Sequence, residues 1–144
     1  MERFPDGEAF LFLGIPLKSF VMAQVNYLTQ EGLDKLKEEH LWQSGELKAY
    51  HSRLTDIVRE YIEHRFQIHT LERTSDEVLD SFKNAGLSNK IPFESLQQLL
   101  YQADRVKFAK GKPQPEDNVR SLEQAYDFVK QTLKQEKEMK KLED

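Results

Sequence analysis

From Leu47 to Phe66 apolar side chains return every third or fourth position, at Leu47, Tyr50, Leu54, Ile57, Val58, Tyr61, Ile62 and Phe66. That spacing puts them on one stripe of a helix, and no other segment is as strongly periodic. The pattern predicts a helix over 46 to 68, opening after the break at Ser44 and Gly45, as the spine of the molecule. Upstream, Thr29 can cap a helix whose first turn holds Glu31; Leu33, Leu36 and His40 follow at helical spacing, with Leu41 and Trp42 closing it.

Downstream, Thr74-Ser75-Asp76-Glu77 is a capping box, in which hydroxyl and carboxylate each satisfy an orphan backbone donor. It opens a third helix with Val78, Leu79 and Phe82 facing inward and Gly86 as its stop. Pro92 suits the first position of a fourth helix, carrying Phe93, Leu96, Leu99, Leu100, Ala103 and Val106 and ending at Gly111. After Pro113 and Pro115, a fifth steps through Val119, Leu122, Tyr126, Val129 and Leu133, and its charged tail KQEKEMKKLED is expected to fray.

No stretch alternates apolar and polar residues over a strand length, and the connections are short. The fold class is therefore all-α, a single bundle of about five helices. Residues 1–24, with Pro5, Gly7, Gly14 and Pro16 among phenylalanines and leucines, read as an irregular apolar N-terminal arm lying on the domain or a neighbour, and residues 25–144 as the helical bundle domain.

Composition narrows the function classes. A chain of 144 residues that is 38% hydrophobic suits one core without staples. With no cysteine, disulfides and thiolate metal sites are excluded, and a cytoplasmic setting is the default expectation. A net charge of -4, with 32% of residues charged, provides no global positive field for a nucleic-acid backbone. The apolar run AFLFLGIPL has nine residues, whereas a bilayer-spanning helix takes about 20. MERFPDGE before it is acidic and no small-residue cleavage site follows, so no secretion signal is read.

Asp56, Glu60 and His64 fall at i, i+4 and i+8 and permit a metal-dependent enzymatic face. The row lacks both the paired histidines of zinc proteases and the carboxylate–histidine spacing of di-iron bundles, which favours a solvated polar face. His40, His51 and His69 stand near no serine or cysteine in a nucleophile motif and are expected at surface or helix-boundary positions. Six dispersed glycines make no phosphate-cradling loop. Catalytic, cofactor-binding and metal-binding residues are accordingly not expected.

Arg105, Lys107, Lys110 and Lys112 form a compact basic cluster around Phe108. It complements a helix C-terminus and adds solubility, or else serves as an anion or nucleic-acid site. Within SFKNAGLSNKIPFESLQQLL, Ala85-Gly86-Leu87-Ser88 resembles a helix-turn-helix turn. Phe82 is too large for that crossing, Pro92 sits where the second helix of the motif should begin, and Glu94, Gln97 and Gln98 are poor base readers, so a core hairpin is favoured.

VNYLTQEGLDKLKEE is similar to the opening of the Gre-type transcript cleavage factors, but the likeness stops after His40 and their acidic tip motif is absent. A broader match runs through KLKEEHLWQSGELKAYHSRLTDIVREYIEHRF, LERTSDEVLDSF and ADRVKFAKGKPQPEDNVRSLEQAYDFVKQT. These phrases resemble, in order, the helical cytoplasmic domain of bacterial membrane-anchored proteins encoded in Bat-type (aerotolerance-type) operons. The resemblance implies a non-enzymatic module beside the membrane, among MoxR-like ATPases and von Willebrand factor A proteins, with any anchor upstream of this chain. It implies no catalytic residues, and it places Trp42, Tyr50, Arg53, Leu54, Asp56, Arg59, Tyr61, Arg65 and Phe66 on a signature helix and Asp104, Lys107 and Phe108 on a later one.

The expectation is thus a cytoplasmic protein-interaction or scaffold domain, tethered to the inner membrane in a full-length form and needing no cofactor. Its candidate contacts are Trp42, Arg105, Lys107, Phe108 and Lys110, since exposed aromatics and arginines dominate interface energetics. Arg53, Arg59 and Arg65 are expected to pair across helices with Asp76, Glu77 or Asp104. The alternative is a transcription-linked nucleic-acid-binding protein using helices three and four or the 105 to 112 patch.

Overall fold

The computed structural model describes the backbone of residues 17–108 and 111–143; residues 1–16, most of the expected arm, lie outside them. Five α-helices follow in order: α1 (Leu17–Glu38), α2 (Leu47–Phe66), α3 (Ser75–Asn84), α4 (Phe93–Lys107) and α5 (Pro115–Glu143), with a 3-10 turn at Ser88–Lys90. No strand occurs among the described residues, so the fold is all-α. No helix among them is long and apolar enough to cross a membrane.

Side-chain contacts fix the helix directions. Arg53 pairs with Glu39 while Gly32 sits against Ile57, so α1 and α2 run antiparallel. Gln124 donates to Gln98 at 2.8 Å, and Arg105 shares a groove with Arg120, so α4 and α5 are also antiparallel. Tyr50 reaches Asn118 and Tyr61 reaches Thr132, which makes α2 and α5 parallel. The result is an up-down-up-down bundle of α1, α2, α4 and α5, with α3 inserted between α2 and α4 and packed on α4.

Each helix contributes its apolar stripe to one core. Leu33 and Leu36 of α1, Leu54, Val58 and Ile62 of α2, Leu96, Leu99 and Leu100 of α4, and Ala125 and Phe128 of α5 are fully buried. Burial of each leucine-sized side chain is worth roughly 1.5–3 kcal/mol. Phe66 closes the lower end, its ring 5.2 Å from Phe82 of α3 and 6.3 Å from Phe128 of α5.

Several boundaries differ from the sequence expectation. Helix α1 begins at Leu17, so residues 17–24 belong to it and not to an irregular arm. Its buried face steps by three and four through Asn26, Thr29, Leu33 and Leu36, and the first two are polar, so apolar spacing alone does not mark this part of the helix. Thr29 is mid-helix, its hydroxyl donating to the Val25 carbonyl at 2.7 Å; a threonine can bond back one turn as well as cap. His40 lies past the helix at φ 52, in the turn that leads to α2. Helix α4 stops at Lys107 with Phe108 as its cap, short of Gly111, and the α5 tail stays helical to Glu143.

Half of the capping box of α3 forms as read: the Glu77 N–H donates to Thr74 Oγ1 at 3.2 Å, whereas Glu77 Oε1 accepts from the Thr74 hydroxyl at 3.1 Å and not from a backbone N–H. Its far end is a Schellman turn: Leu87 N–H donates to the Phe82 carbonyl at 2.9 Å and Gly86 N–H to Lys83 at 3.1 Å.

Candidate functional site

The sequence-nominated contact residues do not form one surface. Phe108, which leaves the helical path at the end of α4, is 69% exposed. It lines a shallow depression with Arg105, Asp104 and Tyr101 from α4 and Asp76 from the first turn of α3. Tyr101 donates its phenolic hydrogen to Asp76, which fixes the α3 wall. An aromatic ring beside an exposed guanidinium and two carboxylates can bury an apolar side chain of a partner and pair with charges of either sign.

The other candidates lie elsewhere. Lys107 turns inward and donates to Thr55 Oγ1 of the spine at 3.0 Å. Trp42 packs half-buried against the core from the α1–α2 turn. Lys110 is outside the described residues. The basic cluster therefore loses Lys107 to the interior, because α4 presents residues 105 and 107 to different sides.

Sequence reasoning missed a buried polar stripe on α2. His51, Thr55 and Arg59 fall at i, i+4 and i+8 and are 0%, 1% and 9% exposed. His51 was expected at a surface or helix-boundary position; it is interior because α2 packs against α1, α4 and α5, so its buried arc is wider than the apolar residues alone define. Its Nε2 lies 2.8 Å from Asn118 Oδ1, while Tyr50 donates to the Asn118 carbonyl at 2.9 Å. Thr55 donates back to the His51 carbonyl at 2.9 Å. The signal available in sequence was the adjacency of this row to Tyr50, Leu54 and Val58.

Burial sets the electrostatics of this stripe. It pushes the His51 imidazole below its ordinary value; the Asn118 hydrogen bond opposes that shift and the Lys107 charge adds to it. Burial likewise pushes the Tyr50 phenol up to about 12. Lys107 is lowered by burial and then by Arg59, against the pull of Asp56 and Asp104. With its ring fully buried, His51 acts as an internal hydrogen-bond partner between helices.

The row at 56, 60 and 64 is the solvated one, all three residues being exposed. Among the described residues no three histidine, aspartate or glutamate side chains gather as a metal site requires. The expected cross-helix arginine pairs are rearranged: Arg53 pairs with Glu39, and Arg65 lies over the Phe66 ring at 4.9 Å. Arg59 donates to the carbonyls of Thr70 (2.9 Å) and Arg73 (2.6 Å) and to Ser75 Oγ (3.2 Å), pinning the α2–α3 loop. Backbone carbonyls win there because the loop folds directly over the guanidinium, while Asp76 is held by Tyr101.

The Ala85-Gly86-Leu87-Ser88 segment is the hairpin turn between α3 and α4, which pack on one another. No family model, no curated protein and no solved structure matches this chain.

Proposed function

We propose that the chain is a non-enzymatic protein-interaction or scaffold domain that binds its partner through the open side of α4. The observation that carries this is Phe108, a large aromatic 69% exposed beside the exposed Arg105. An aromatic anchor with a neighbouring guanidinium is the chemistry of interface hot spots, and leaving it in water gains nothing for the fold.

The resemblance to Bat-type operon proteins supports the finer reading. The domain then stands on the cytoplasmic side of a membrane-associated bacterial complex, and its partners are MoxR-like ATPases or von Willebrand factor A proteins.

The test is a pull-down from bacterial lysate with mass-spectrometric identification, run with wild type and with Phe108→Ala and Arg105→Glu. Recovery of an ATPase or von Willebrand A protein, lost with the variants, is the expected result. Recovery of nucleic acid or polymerase components alone would replace this reading with the transcription-linked one.

A further inference from the structure

Helix α4 is open on two sides, and Arg105 belongs to both. Toward α3 lies the Phe108 depression; toward α5 lies a groove of about 360 Å³ walled by Gln98, Gln102, Arg105, Arg120 and Gln124, with Ser121 at its base. Its chemistry is one-sided: two guanidiniums, three carboxamides and a hydroxyl offer many hydrogen-bond donors. Asp117, the one carboxylate in the lining, is already engaged by the Gln114 N–H at 2.9 Å and by Arg120 at 3.2 Å.

Two groups there are unspent. Among the described residues Arg105 has neither an ion-pair nor a hydrogen-bond partner. The hydroxyl of Ser121 likewise has no hydrogen-bond partner among them, although the residue is only 2% exposed and lines the groove. A buried hydroxyl in a helix usually satisfies itself on the carbonyl one turn back, as Thr55 does here.

We infer that the α4–α5 groove binds a carboxylate side chain of an extended acidic peptide segment, whose neighbouring apolar residue covers Phe108. Arg105 and Arg120 clamp the carboxylate, Ser121 donates to it from below, and the glutamines pair with peptide amides. Charge decides for a peptide over a nucleic acid. Asp76, Asp104 and Asp117 flank the two arginines, and the chain as a whole carries -4, so a run of phosphates is repelled more strongly than one or two carboxylates seated beside the guanidiniums. The inference rests on the interaction reading above and names the partner's chemistry.

The test titrates the 15N-labelled full chain with acetyl-Leu-Asp-Glu-Leu-amide and with its Asn/Gln counterpart, following amide chemical shifts. The acidic peptide is expected to move the signals of Gln98, Gln102, Ser121 and Gln124 and to bind at least about tenfold more tightly than the neutral one. Arg105→Gln combined with Arg120→Gln is expected to abolish the shifts with helical circular dichroism intact, and the Arg→Lys pair to restore them in part. Equal binding of the neutral peptide, shifts mapping elsewhere, no shift at millimolar peptide, or stronger shifts with a single-stranded oligonucleotide would each overturn the inference. If only the groove assignment is wrong, the pull-down partner is still lost with Phe108→Ala and kept with Arg120→Gln, which touches the groove alone; if the interaction reading is wrong, neither variant loses a protein partner.

Discussion

The Nε2 of His51 lies 2.8 Å from the side-chain oxygen of Asn118, inside a bundle that leaves the imidazole no exposed surface. An amide oxygen only accepts, so in this contact Nε2 carries the hydrogen and Nδ1, which is buried without a hydrogen-bond partner, is bare. A second proton would sit on Nδ1 with nothing to receive it, near the Lys107 ammonium of α4 and with Arg59 further along α2.

Stability should therefore depend on pH through His51. Its folded value is lowered, so below about pH 6.5 the unfolded chain binds more protons than the folded one. The contribution is fully present above that pH and is lost as pH falls through the folded value. Urea titrations from pH 7.5 down to 5 should show the midpoint falling, and His51→Gln, which keeps a donor for Asn118 but does not titrate, should flatten that fall. The same slope in the variant would assign it to carboxylates instead.

Tyr50 and Tyr61 join the parallel pair α2 and α5 across the bundle, a span that their long side chains can bridge. Tyr50→Phe removes a buried hydrogen bond to the Asn118 carbonyl, which keeps its place in the α5 backbone ladder, and should cost about 0.5–1.5 kcal/mol. Tyr61→Phe should cost a similar amount, about 0.5–1.5 kcal/mol, because the Thr132 hydroxyl 2.6 Å away likewise keeps its own bond to the Phe128 carbonyl. The two sites are eleven positions apart, or about 16 Å along the helix, so the losses should add. A coupling above about 1 kcal/mol in a double-mutant cycle would show that they act as one network.

Arg53 and Arg59 are six positions apart on the same helix and should behave oppositely. Arg53 makes an exposed pair with Glu39, so Arg53→Met should change stability by less than about 1 kcal/mol. Arg59→Met removes the donor for two carbonyls and a hydroxyl and should cost about 2–4 kcal/mol. Hydrogen exchange should localise the effect to residues 67–75, where Thr70 also donates back to the Arg59 carbonyl at 2.7 Å. Equal losses from the two variants would contradict this division.

These cases mark where the sequence was readable. The apolar period of α2, the Thr74 cap and the stop at Gly86 are local, determined by residues within a turn or two of one another, and each was legible. The burial of His51 and Arg59 was not, because it depends on which neighbours cover α2, and the adjacency of their row to Tyr50, Leu54 and Val58 does not by itself say how wide the covered arc is. The α1 start was missed for the converse reason: Gly14, Pro16 and Thr29 are strong local signals, and the packing of Val25 against the core outweighs them. Of the nominated contacts, Phe108 and Arg105 meet at one depression, while Lys107 went to Thr55 through a side-chain direction that spacing alone does not reveal.

Two glycines test the same distinction with opposite signs. Gly32 is interior to α1, and a methyl group there would meet Ile57 at 3.5 Å, an ordinary van der Waals contact. Gly32→Ala should then stabilise by about 0.5–1 kcal/mol, since alanine loses less backbone entropy in a helix and adds a contact to α2. Gly86 has open space around it but a φ of +71, the left-handed conformation its Schellman turn needs. Gly86→Ala should destabilise by about 1–2 kcal/mol despite the room available. Thermal melts of the two variants should move in opposite directions from wild type. A gain in both would mean that the α3–α4 turn relaxes without its left-handed residue, and a loss in both would mean that α1 and α2 are packed more closely at Ile57 than a methyl group allows.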